Sequence, residues 1–68
     1  LVDFAAERAR IEKTIAKDEK ELAAANRTLA NESFVAKAAP EVVAKKRERA
    51  AELEAEIAAL RSQLADFA

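Results

Sequence analysis

Apolar residues recur every three or four positions along most of the chain. The first set is Phe4, Ile11, Ile15, Leu22, Ala25 and Leu29, with Arg8 and Asp18 falling in the same row. The second set is Val43, Ala50, Leu53, Ile57, Leu60, Leu64 and Phe67, with Lys46 in its row. A 3-4 spacing marks one face of an amphipathic helix, and its persistence over several turns marks a heptad seam. The pattern breaks between Leu29 and Val43. Asn31 and Ser33 favour local bonds from side chain to backbone over helix. Pro40 has no backbone N–H and suits the first turn of a helix better than its interior. The sequence therefore predicts two helices joined by a short bend. The fold class is all-α: two long helices forming an antiparallel coiled-coil hairpin.

The expected boundaries are one domain over residues 1–68, with helix 1 over about 3–30, the tip over 31–39 and helix 2 over about 40–67. Asp3 is placed to cap helix 1, with Glu7 in the first turn beside the positive end of the helix dipole. Ala39 is a poor cap for helix 2. Matching the two seams sets Phe4 against Phe67, Arg8 against Leu64, Ile11 against Leu60, Ile15 against Ile57, Asp18 against Leu53 and Leu29 against Val43. Arg8 can bury its stem and lift its charge to water. Asp18 is too short to do so, and it requires either a partly wet seam or a nearby base. Each arm, at 1.5 Å per residue, reaches about 40 Å.

Composition narrows the chemistry. With 68 residues the chain makes one small domain, and it begins at Leu1 without Met, which fits a piece of a longer protein. It has no Cys, His or Gly. That removes thiol chemistry, the commonest general base and zinc ligand, and the glycine loops that cradle phosphates. Abundant Asp and Glu on helices read as a solvated face. No catalytic residue, cofactor or metal site is expected in this chain. No apolar run approaches the ~20 residues of a membrane span, and neither end resembles a secretory signal. The absence of Cys fits a reducing cytosol.

Net charge is −1, but its distribution is uneven. From Arg27 to Arg49 the chain carries +3, through Arg27, Lys37, Lys45, Lys46, Arg47 and Arg49 against Glu32, Glu41 and Glu48; the remainder carries −4. The predicted tip is thus positive and the open end negative. On helix 1, Arg10, Lys13, Lys17, Lys20 and Arg27 fall within about a 100° arc opposite the seam. Such a row can follow a phosphate backbone. It can equally be a solvated face whose charge is diluted by partners on the same helix, such as Glu21 for Lys17. At the tip, Phe34 and Val35 stand between Asn31 and Lys37. Phe34 can plug the end of the hairpin against Leu29 and Val43, or the pair can form an apolar pad for an unpaired base or base-pair edge of folded RNA.

These residues carry a family resemblance. The start, Asp3 with Glu7-Arg8-Ala9-Arg10-Ile11-Glu12-Lys13, is similar to the beginning of the C-terminal coiled-coil arm of bacterial valyl-tRNA synthetases. So are Leu29-Ala30-Asn31-Glu32-Ser33-Phe34-Val35-Ala36-Lys37-Ala38, the pair Val42-Val43, and Lys46 to Arg49. The resemblance covers nearly the whole chain, and the tip is its distinctive part. Two positions depart from the family pattern: its Pro is expected where Ala39 stands, one place before Pro40, and Asp18 stands where the family has Leu.

The resemblance implies an arm that contacts the outer corner of L-shaped tRNA, where the D- and T-loops meet. Distant domains of a cytoplasmic valine–tRNA ligase, using ATP and magnesium, would aminoacylate tRNA(Val). Asn31, Phe34, Val35, Lys37 and Lys46 come forward as RNA-contact candidates from the tip motif, and Arg10 and Lys13 from the start motif. Lys17, Arg27, Lys45 and Arg49 join them from charge and position. The isolated arm is expected to be monomeric. The rival from another class is a structural module that pairs seams between chains, as a dimer or four-helix bundle, without RNA. The N-terminal arm of seryl-tRNA synthetases is also a long hairpin, and the tip motif is what separates the two. An independent enzyme is the reading that the composition supports least.

Overall fold

The computed structural model describes residues 3–67. Helix α1 covers Phe4–Ala30, α2 covers Glu32–Lys37 and α3 covers Pro40–Ala65. The two long helices pack against each other, and α2 packs on the end of α1. The result is a narrow rod of 53 × 16 × 14 Å. The predicted helical hairpin is the observed fold. The tip differs from expectation in one respect: the segment read as a break in helical pattern is itself a short helix that includes Ser33.

Local chemistry explains the two reversals. Asp3 starts α1 by accepting a bond from the Ala6 N–H on its Oδ1, at 3.1 Å. Asn31 is a single extended residue with two tasks. Its N–H donates to the Thr28 carbonyl at 3.2 Å, closing α1. Its Oδ1 accepts from the Phe34 N–H at 3.2 Å, opening α2. An Asn side chain does this well because it satisfies an orphan donor of the next helix. After α2, Ala38 and Ala39 are extended, with ψ of 151° and 142°. A residue before proline is pushed to that region by its ring. Pro40 then enters α3 at its start, and Ala39 offers no side-chain cap.

The seam holds the rod together. Ile11 and Leu53 are fully buried, and Ile15, Val43, Ala50 and Ile57 nearly so. Leu22, Leu60, Leu64 and Phe67 pack around the cluster of Ile11, Ile15 and Ile57. Phe4 meets Phe67 edge-to-face at 5.7 Å between ring centres, which fixes the helices as antiparallel and confirms that end of the register. Towards the tip the seam is thinner, because Ala25 and Ala50 stand there in place of larger side chains. Small residues bury less apolar area and contribute less.

Arg8 is exposed near the open end. The seam expectation for Asp18 needs correction. Asp18 is neither on a wet seam nor beside a base: it is buried, at 5% exposure, and its Oδ2 has no hydrogen-bond partner.

Candidate nucleic-acid interface

The candidate residues divide into a tip group and a shaft group. At the tip, α2 carries Phe34 and Val35, both half-buried, and Lys37, exposed in its last turn. From α3, Lys46 places its Nζ 6.0 Å from the centre of the Phe34 ring, within the range of a cation–π contact. Lys45 beside it is exposed. Phe34 is thus half-buried, with a cation beside its ring. Asn31 is exposed at the junction, but its Oδ1 is committed to the Phe34 N–H. Arg27 lies exposed in the last turn of α1, where a cation also favours the negative end of the helix dipole.

Val35, Ala36, Ala38, Pro40, Val43, Ala44 and Arg47 line an open hollow of about 420 Å³ on the tip. Sequence reasoning passed over Arg47. Its membership of the run from Lys45 to Arg49 was visible, but which side chain of that run turns to the apolar tip depends on the backbone at Ala38 and Ala39.

Along the shaft, Arg10, Lys13 and Lys17 are exposed on α1. Lys13 lies roughly 27 Å below Asn31 along the axis, at the standard helical rise, so the shaft and the tip are separate surfaces. Among the described residues, Lys13 and Lys17 make no ion pair; Glu21, the expected partner of Lys17, is taken by Arg49 instead. Arg10 is paired with Glu7 at 2.9 Å, and that bond holds its guanidinium above the usual arginine range.

Arg49 is engaged within the rod. Its Nε and Nη2 donate to the two oxygens of Glu21 across the hairpin, and its Nη1 lies 3.4 Å from Glu52. The Glu21 bond is the main reason its pKa is raised. A second cross-brace joins Arg61 to Glu19 at 2.8 Å. On α2 and the start of α3, the cations left unpaired among the described residues are thus Lys37, Lys45, Lys46 and Arg47, of which Lys46 lies beside Phe34 and Arg47 shares the hollow with Val35. This arrangement offers donors to phosphate and a flat apolar surface to a base, and it holds no group of three or more metal-binding side chains among the described residues.

Comparison with known proteins decides the family. Residues 3–68 match the family model described as the valyl tRNA synthetase tRNA binding arm. The chain belongs to that family. The arm is 55% identical over 64 residues to the valine–tRNA ligase of Agrobacterium fabrum, covering 94% of this chain and 7% of that one. It is 50% identical over 68 residues to the valine–tRNA ligase of Nitratidesulfovibrio vulgaris, covering 96% of this chain and 8% of that one. Against the valine–tRNA ligase of Streptomyces coelicolor the identity is 48% over 64 residues, covering 94% of this chain and 7% of the relative. The arm thus spans less than a tenth of the length of these relatives. No solved structure matches it. No helix among the described residues is long and apolar enough to cross a membrane.

Proposed function

We propose that the arm binds tRNA at the outer corner where the D- and T-loops meet, and that it does so through its tip. The supporting observation is Lys46 beside the half-buried Phe34 ring and Arg47 beside half-buried Val35, with Lys37 and Lys45 exposed on the same elements, at the end of a 53 Å rod. Such a tip has too few side chains to read a sequence, and it suits recognition of a shape. The cations meet phosphates of the two loops, and the apolar pad lies against an exposed base or base-pair face. Arg10, Lys13 and Lys17 supply a second, weaker contact to a phosphate strand along the shaft. Phe4 and Phe67 lie against each other at the end opposite the tip, so in this reading the rod holds its load away from the body of the parent enzyme.

The parent in this reading is a cytoplasmic valine–tRNA ligase, and tRNA(Val) is the cargo. Its distant domains carry the aminoacylation, with ATP and magnesium. The arm works as a monomer.

Titration of the 68-residue chain with folded tRNA and with an unstructured RNA of equal length tests this. Binding to folded tRNA is expected to be tighter and to weaken as salt is added, through release of counterions. Equal binding to both RNAs would remove shape recognition. Concentration-dependent dimerisation that abolishes binding would favour a structural module.

A further inference from the structure

Phe34 stands on the shortest element of the rod. Helix α2 has six residues, Glu32–Lys37, and none of them is fully buried. A helix that short does not hold itself together in water, because nucleation is unfavourable and few bonds follow it. Its shape therefore depends on what satisfies its ends. At the start, Asn31 supplies two acceptors: its Oδ1 takes the Phe34 N–H at 3.2 Å, and its carbonyl takes the Val35 N–H at 3.1 Å. At the finish, the Ala38 N–H donates to the Phe34 carbonyl at 2.8 Å. The Asn31 side chain is thus tied to the residue whose ring centre lies 6.0 Å from the Lys46 Nζ. The backbone of a helix sets where its side chains point, so a restraint on the Phe34 N–H is also a restraint on the ring.

We infer that Asn31 is a positioning residue for RNA binding: it acts through Phe34 and does not itself touch RNA. The inference rests on the reading of the tip as the RNA-binding end. With the side-chain bond in place, the first turn of α2 is closed and the ring stays beside the Lys46 ammonium. Without it, the Phe34 N–H turns to water and the first turn frays. Ring and ammonium then no longer present one surface to a base and its phosphate.

The cap and a direct contact ask for different atoms. The cap needs an oxygen acceptor, which a serine hydroxyl supplies about as well as an asparagine amide. A contact from Asn31 to RNA would use its amide N–H groups, since its oxygen is already engaged, and serine has no amide.

Titration of folded tRNA with the 68-residue chain tests this, using N31A, N31S, F34A and the N31A/F34A double variant. N31A is expected to lower affinity about tenfold, the scale of one lost stacking contact. N31S is expected to stay within about twofold of the wild type. In the F34A background N31A should cost nothing further, since the ring through which it acts is gone. The buried seam residues lie on α1 and α3, so helical content should be alike in all the variants. In the free chain, the ring-current shift of Phe34 on the Lys46 side chain should vanish in N31A and persist in N31S. Unchanged binding by N31A, an N31A loss that is the same with and without Phe34, or N31S as weak as N31A would overturn the inference and leave the tip as the binding end. F34A that binds as the wild type does would remove the tip reading, and this inference with it.

Discussion

Arg49 on α3 reaches across the hairpin and holds the Glu21 carboxylate with two nitrogens, Nε to Oε1 at 3.3 Å and Nη2 to Oε2 at 3.1 Å. A planar guanidinium matches a carboxylate in this way, and a lysine ammonium cannot. The bond occupies a base that, by position in the sequence, belongs to the positive end of the rod. Its role is bracing.

Truncation of Arg49 is therefore expected to cost stability and to leave RNA affinity nearly unchanged. A double-mutant cycle of R49A and E21A, followed by thermal unfolding, measures the coupling. The second substitution should cost less than the first. Fully additive losses would show that the two side chains do not support each other.

Leu53 is wholly buried in the seam, whereas Val42 is 43% exposed. Leu53→Ala removes packing from a core with little to spare and should cost about 2–5 kcal/mol. For a scaffold of this size that is a large share of the total, and circular dichroism should show much of the helix lost at room temperature. Val42→Ala should change the denaturation midpoint little.

The start of α3 lacks a side-chain cap, since Ala39 stands in the capping position. Ala39→Ser supplies an oxygen for a free N–H of the first turn, on a backbone already extended there. A gain of about 1 kcal/mol is expected. Equilibrium denaturation measures it, and no gain would mean that the turn leaves its N–H groups to water without loss.

Asp18→Leu replaces a buried carboxylate, one oxygen of which lacks any partner, with the apolar side chain that the seam pattern asks for. At neutral pH, removal of such a group should stabilise by about 1 kcal/mol or more. In a domain of this size that raises the melting temperature by about 4–8 °C. A fall in melting temperature would show that the site tolerates Asp but has no room for Leu.

Helical periodicity placed Ile11, Ile15, Leu53 and Ile57 inside because burial repeats with the helical turn, and the observed core follows it. The register came from matching two apolar rows, and the contact of Phe4 with Phe67 bears out its open end. The short helix α2 was hidden because Asn31, a helix breaker in one context, is a helix starter one residue on. The state of Asp18 was hidden too: spacing put it in the seam row, but that its Oδ2 would be buried without a hydrogen-bond partner depends on how the side chains pack. At the tip, the cations could be counted in the sequence. Which were free could not, since the engagement of Arg49 with Glu21 joins residues 28 positions apart.

Backbone amide NMR of the labelled chain, titrated with folded tRNA, tests most directly whether the tip is the RNA-binding end. Shifts are expected to gather at Asn31 to Lys37 and at Lys45 to Arg47, and to fade together as salt is raised. Shifts gathered instead around Phe4, Arg61 and Phe67 at the open end, with the tip unmoved, would contradict it.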